Sequence, residues 1–369
     1  MSAFDSPKSL VSAQSQLPVS WYFDDALLAL EKQVFFDQGP GYVGHALMAP
    51  HEGAYRTLEM KDHGAMLVNR GGEFDLMSNV CRHRQAIMLD GAGTLDSHIV
   101  CPLHRWTYDR LGSLVGAPHF PDNPCLNLGR TALQNWNGLL FEGRRDIQKD
   151  LAGMQLASTF DFSGYKLDKV VTHECNYNWK TFIEVYLEDY HVVPFHPGLG
   201  KFVSCEDLHW EFGEWHSVQT VGIHKDLQNP GSQTYRHWHE AVLRQFNGKT
   251  PRHGAIWLTY YPNVMVEWYP GVLCVSTLHP MGVNKTRNIV EFYYPEEIAL
   301  FEREFVEAER AAYMETCIED DEIAERMDQG RAALLARGVN EVGPYQSPME
   351  DGMQHFHEWY RRVMNFQGA

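Results

Sequence analysis

The sequence contains no uninterrupted apolar run of about 18 residues, the length that marks a membrane-spanning helix. It also lacks a basic excess. Lys and Arg number 31 against 48 Asp and Glu, a formal net charge of −17. A phosphate-binding surface needs a basic patch, so no nucleic-acid partner is expected. Docking on an anionic membrane is disfavoured for the same reason. Charge of this sign suits a soluble protein and tolerates cationic small molecules. Cysteine is sparse: seven residues, an odd number, scattered along 369. A disulfide scaffold is therefore not expected. The first twenty residues are rich in Ser and Gln, with Lys8 and no apolar segment. They match neither a secretory signal nor an Arg-rich transit peptide, which predicts a loose tail and a cytoplasmic location.

What is present is an ordinary globular mixture, 44% hydrophobic and 21% charged, at a length that suggests about two domains. An amphipathic helix is predicted over 24–36, with Asp at its start. From about Pro40 to Glu142, short alternating runs such as Ala65–Val68 are broken by Gly-containing turns, an all-β pattern. Asn137-Gly138 before Leu139-Leu140-Phe141 is a hairpin signal. Residues 175–191 show helical spacing of Trp179, Phe182, Ile183, Tyr186, Leu187 and Tyr190, stopped near Pro194 and Pro197. Strands are predicted again within 255–294, then two helices over 296–317 and 319–337. The expected class is α+β: a tail and helix over 1–39, an all-β module over 40–150, and a larger module over 151–369 with an antiparallel sheet flanked by helices.

Two of the cysteines have histidines close by. Cys81-Arg82-His83 is followed by Cys101-Pro102-Leu103-His104. Each segment offers one thiolate and one imidazole from a predicted loop. Zinc accepts two Cys and two His, but its motifs usually pair like with like. A two-iron cluster explains the mixing, because one iron takes both thiolates and the other both imidazoles. Downstream, Glu188 and His191 are three residues apart and His196 follows beyond Pro194. Two histidines and a carboxylate make the facial triad of oxygen-activating Fe(II) enzymes. His237-Trp238-His239 is a rival pair without an obvious third ligand, and reads as surface or structural.

The segments Cys81–Arg84 and Cys101–Asp109, and the run Asn178-Trp179-Lys180 through Glu188, His191 and His196, resemble the Rieske non-heme iron oxygenases, ring-hydroxylating α subunits. Gln85, Leu103 and Arg105 depart from that pattern, standing where the family often has Gly, Tyr and Gly. Ser347–Glu350 with His355 and His357 resembles the choline and carnitine type. The resemblance implies a helix-grip-like catalytic domain, and a Rieske [2Fe–2S] cluster on Cys81, His83, Cys101 and His104. It implies a mononuclear Fe(II) on His191, His196 and Asp320, with Asp321 as the fallback. Glu188 then bridges electrons between subunits of a homotrimer, or of a hexamer. A separate NAD(P)H-dependent reductase or ferredoxin supplies the electrons. The implied reaction is O₂-dependent hydroxylation of a small substrate, either mono- or dioxygenation of an aromatic ring or oxidative cleavage of a quaternary amine such as choline, betaine or carnitine. The aromatics of 255–294, Trp257, Tyr260, Tyr261, Trp268, Tyr269, Phe292, Tyr293 and Tyr294, suit a substrate pocket by stacking or cation–π contact. They are also common in any sheet. A Rieske electron carrier without oxygenase activity is the alternative of another class.

Overall fold

A computed structural model describes residues 16–58 and 62–365. The expected tail over the first fifteen residues lies outside the described part. Gln38–Lys149 form one compact unit, and the chain before and after it forms the other.

The larger unit begins with α1 (Asp25–Glu31). Asp24 caps it, accepting from the amides of Ala26 at 2.8 Å and Leu27 at 3.1 Å, which satisfies two of the donors a helix start leaves open. Beyond Glu31 the coil widens into a π-type turn, Lys32–Phe36.

The smaller unit is built from short antiparallel strands. They are β1 (Gly41–His45), β2 (Ala54–Leu58), β3 (Asp62–Asn69), β4 (Phe74–Ser78), β5 (Ala92–Thr94), β6 (His98–Val100), β7 (Thr107–Asp109), β8 (Leu114–Gly116), β9 (Arg130–Ala132), β10 (Gln134–Trp136) and β11 (Leu139–Glu142). They form three sheets, ordered β1-β11-β10, β5-β2-β3-β4-β9 and β6-β7-β8. Asn137 and Gly138 join β10 to β11 with φ of 50° and 91°, the doubly positive turn whose twist suits a hairpin. Met66, Val68, Met77, Ile99, Trp106 and Tyr108 fill the core under the loops that carry Cys81 and Cys101.

A single turn, α2 (Ile147–Asp150), leads on to β12 (Tyr165–Cys175), α3 (Trp179–Tyr186), α4 (Val192–Phe195), α5 (Leu199–Phe202), β13 (Val203–Phe212) and β14 (His216–Ile223). Then come α6 (Gln233–Gln245), β15 (Ala255–Tyr260), β16 (Val264–Tyr269), β17 (Val272–Gly282) and β18 (Lys285–Pro295), and finally α7 (Glu296–Phe301), α8 (Arg303–Ala336) and α9 (Asp351–Val363). The seven strands make one antiparallel sheet, ordered β12-β18-β17-β16-β15-β14-β13. α8 lies against it: the Tyr313 ring meets Phe292 of β18 edge-on at 5.2 Å.

Three sequence expectations change. The helix expected over 175–191 is shorter. Asn178 caps α3, and the helix stops at Tyr186, so Glu188 and His191 occupy a turn and not a helix face. Pro194 sits inside the short α4, where its missing N–H matters little. The two helices expected over 296–317 and 319–337 are divided elsewhere, at Glu302, and the second runs unbroken for 34 residues. Neither Ile318 nor Glu319-Asp320-Asp321 contains a helix breaker. β12, β13 and β14 went unread in the sequence. β14 is buried throughout yet carries His216, Ser217, Gln219 and Thr220, which hide its apolar face.

Buried charge ties both ends of the chain to α3. The Glu31 carboxylate accepts from Trp179 Nε1 at 2.8 Å, Lys180 Nζ at 2.6 Å and the Tyr360 hydroxyl. Glu184 pairs with Arg331 at 2.6 Å and His357 at 2.8 Å, and accepts from the Tyr22 hydroxyl. Burial opposes its ionisation, yet Arg331 and His357 hold its carboxyl down at about 2.

Candidate active site

The loops Cys81–Ala86 and Cys101–Trp106 repeat one geometry. In each, the Cys amide donates to the carbonyl five residues on, at 2.9 and 2.8 Å. In each, the residue four on donates back to the Cys carbonyl, at 3.0 and 3.1 Å. That residue is Gln85 in one loop and Arg105 in the other, at φ of 54° and 63°. Glycine enters this region most readily, which explains why Gly is common at both places in the family. Here longer side chains accept the strain.

Cys81 and Cys101 are both buried, with thiols in hydrogen-bonding contact. Burial works against ionisation of Cys81, but the His83 amide, the Tyr108 hydroxyl and Cys101 together pull its thiol down. The His83 and His104 rings lie 4.6 Å apart, and Trp106 stacks on His83 at 4.9 Å. His83 Nδ1 is buried with no hydrogen-bond partner among the described residues. Two buried thiols, Cys81 drawn toward the thiolate while burial and Cys81 push Cys101 the other way, two neighbouring imidazoles and an unpartnered ring nitrogen fit a cluster with two sulfur and two nitrogen ligands.

The second donor set belongs to the larger unit. Leu187 ends α3, and the turn after it brings Glu188 back onto His191. Glu188 accepts from the His191 amide at 3.0 Å and its carboxylate holds the ring Nδ1. On the other side of α4, His196 points its Nε2 at His191 Nε2, 3.0 Å away. α8 supplies Asp320, whose Oδ1 lies 3.0 Å from His196 Nε2 and 3.4 Å from His191 Nε2. Three donors bonded to one octahedral ion at about 2.1 Å would stand about 3 Å from each other. The three side chains fit such an ion on one of its faces. Burial resists ionisation of Asp320, but His191 and His196 hold its carboxyl below the usual range. Burial would also depress the imidazolium of His191, but Asp320 and Glu188 push it up to about 10. Both shifts report a potential that favours a cation between the rings.

Asp321, one residue on, faces elsewhere: it pairs with His173 at 2.7 Å and accepts from the Tyr177 hydroxyl at 2.8 Å. Glu325 bonds Asn176. His239, on α6, is buried against the Leu227 carbonyl and joins no donor group. The role of Glu319 escaped the sequence reading. Glu319 holds His196 Nδ1 at 2.7 Å, so each ring has a carboxylate on the nitrogen facing away from the cation position. An acid adjacent to Asp320 was visible, but which ring it would orient was not.

A cavity of about 100 Å³ opens beside this triad. Of the eight aromatics proposed for it, Trp257 and Tyr269 line it. Tyr260, Tyr261, Tyr293 and Tyr294 instead bond Asp150, Ser217, Glu291 and Glu309. Besides Asp320 and Glu188, three acids line the cavity: Asp189, Glu267 and Glu309. Among the described lining residues there is no Lys or Arg. Burial pushes Asp189 and Glu267 up to about 7 and Glu309 to about 8. Glu267 is an acid in the middle of the apolar run Val264-Met265-Val266 and Trp268, and that incongruity is the signal by which it could have been found.

Two family models match: the Rieske [2Fe-2S] domain over residues 42–132 and the ring hydroxylating alpha subunit catalytic domain over 162–366. The chain belongs to the Rieske oxygenase α-subunit family. It is 69% identical to the putrescine 2-hydroxylase of Ralstonia nicotianae, over 99% of this chain and all of that one. It is 58% identical to the putrescine 2-hydroxylase of Bordetella bronchiseptica, over 96% of this chain and 86% of the relative. A solved quaternary ammonium Rieske monooxygenase superposes with a TM-score of 0.74 at 18% identity, over 97% and 96% of the two chains, a likeness of fold alone. This Rieske oxygenase is an oxidoreductase whose cofactors are the [2Fe–2S] cluster and a mononuclear iron. Its catalytic domain removes the reading as a bare electron carrier. Relatives named hydroxylase and monooxygenase support hydroxylation of a small substrate, and not specifically of an aromatic ring. Rieske oxygenases work with a reductase or ferredoxin and form oligomers. Among the described residues no helix is long and apolar enough to cross a membrane.

Proposed function

We propose that this Rieske oxygenase hydroxylates putrescine at the carbon next to an aminomethyl group. The observation that carries the reading is an acidic cavity beside the triad, with no lining cation, in a chain close over its whole length to two putrescine 2-hydroxylases. A diamine that is doubly charged near neutral pH is matched by buried carboxylates, where an arene would offer them no counter-charge.

In this reading Cys81, His83, Cys101 and His104 hold the cluster, and His191, His196 and Asp320 hold the iron. When bound, the cluster supplies electrons and the iron activates O₂. Overall, substrate, O₂, two electrons and two protons become alcohol and water. The chain's own side chains do the rest. Glu188 and Glu319 fix the rings of His191 and His196, so that both Nε2 atoms stay turned toward Asp320. Glu188, through its contact with His191 Nδ1, is the residue that joins the site to a neighbouring subunit's cluster in a homotrimer or hexamer. Tyr186, Phe182 and Trp238 wall the cavity and keep bulk water from the reacting carbon.

The test is O₂ uptake with an NAD(P)H-dependent reductase against putrescine, choline, carnitine and naphthalene. Coupled uptake with putrescine, and a product heavier by one oxygen at carbon 2, is expected. Coupled turnover of the arene or the quaternary amines, with putrescine inert, would overturn the reading.

A further inference from the structure

We propose that Glu267 binds the substrate ammonium farther from the reacting carbon, and so decides which carbon is presented to the triad. This rests on the reading of the enzyme as a diamine hydroxylase and names the residue that makes it one.

Glu267 sits on β16 and is 1% exposed. Each carboxylate oxygen is held by one tyrosine. Oε2 accepts from the Tyr269 hydroxyl at 2.8 Å and Oε1 from Tyr313 at 2.9 Å. Tyr269 is itself fixed, because its oxygen accepts from Trp257 Nε1 at 3.0 Å. A carboxylate has about four acceptor positions, so each oxygen keeps capacity for an incoming N–H. No described residue forms an ion pair with Glu267, whereas Glu31 and Glu184 each have one. Glu31 and Glu184 are matched by cations inside the fold, and Glu267 is held by neutral hydroxyls alone. Trp257, Tyr269 and Tyr313 also line the cavity, and aromatic rings of this kind attract a cation.

Distance fits as well. Tyr313 and Asp320 lie on the same stretch of α8 and both line the cavity. Seven residues of helix advance about 10 Å. An extended four-carbon diamine spans about 6 Å between its nitrogens, and an N–H···O contact adds about 3 Å. The reach of a diamine held at Glu267, about 9 Å, is comparable to that rise. A monoamine of the same length has one ammonium, so it cannot place a charge at Glu267 and another at the end near the triad. A longer diamine moves a different carbon opposite the triad.

The experiment compares the wild-type enzyme, E267Q and E267D with putrescine, 1-aminobutane, 4-amino-1-butanol and cadaverine. The readouts are kcat/KM and the position of the hydroxyl group. The wild type should prefer putrescine to 1-aminobutane by about a hundredfold or more, since sites built to hydrogen-bond an N–H reject an analogue lacking it by up to about 10⁴–10⁵-fold. In E267Q that preference should fall to within about fivefold, through a larger loss with putrescine than with the monoamine, and hydroxylation should spread over more than one carbon. In E267D the carboxylate retreats by one carbon, and preference should move toward cadaverine. A wild type that oxidises no diamine overturns the function itself. A wild type selective for putrescine, with the same ratio kept in E267Q, overturns only the assignment of Glu267. Should E267Q lack its cluster colour, E267D decides, and an unchanged chain-length preference there counts against the proposal.

Discussion

The two donor sets are built on opposite plans. The loop set stands near the surface: Cys81 and Cys101 are buried, but His104 and its neighbour Leu103 are exposed, as are Arg82 and Arg84. Its geometry is local, each half fixed by hydrogen bonds within six residues. The triad is enclosed and assembled from a distance. His196 is 1% exposed, and its orienting carboxylate lies 123 residues away in sequence. Electron entry needs an edge that a partner can reach. Oxidation of a C–H bond needs a dry, shaped cavity. One chain meets both demands by placing one centre on short-range loops and the other between a turn and a long helix.

Variants can break this contrast at several points. The largest effect is expected from Cys101→Ala. It should remove acid-labile sulfide and the visible absorption, and lower coupled turnover by more than about a hundredfold, above the scale seen for groups that only orient ligands. Iron that remains should belong to the triad. Retained sulfide would separate Cys101 from the cluster.

Next is Arg331→Met. It leaves Glu184 buried beside His357 and the Tyr22 hydroxyl without its main cation. Removing one partner of a buried pair typically destabilises by about 3–5 kcal/mol. Chemical denaturation should show a loss of that size, with the visible spectrum of the folded protein unchanged.

A smaller effect concerns pH. Glu267 faces Tyr269, Tyr313, Tyr186, Glu309 and Asp320, and its folded-state value is raised from 4.5 to about 7, chiefly by burial. Its contribution to stability is therefore present at low pH and is lost as pH rises through about 7. E267Q has no proton to lose. Without substrate it should be more stable than the wild type above pH 7, by about 3 kcal/mol at most, and the difference should vanish near pH 4. Thermal melts at pH 5 and pH 8 check the sign.

The smallest change is Glu319→Gln. It keeps the triad but weakens the hold on His196 Nδ1, and about tenfold weaker iron binding is expected. A metal titration of the apo-protein measures it.

The same contrast separates what the sequence revealed from what it hid. The loop set was legible because its Cys and His donors stand two or three residues apart and the turns that carry them are local. His191 and His196 were legible for the same reason. Asp320 and Asp321 could not be told apart by spacing. The unbroken course of α8 turns one toward the histidines and the other toward His173 and Tyr177. The substrate side was hidden. Glu267 and Tyr313 meet across 46 residues, and no local pattern marks which of many sheet aromatics face inward. Six of the eight singled out do not line the cavity, because their hydroxyls and rings serve the fold.

The most direct measurement is iron and acid-labile sulfide content per chain in the wild type and in Asp320→Ala. Two separate centres predict about three irons and two sulfides, falling to about two irons with both sulfides and the visible spectrum retained. An Asp320→Ala protein that keeps all its iron, or loses its sulfide together with it, would contradict the division between the loops and the triad.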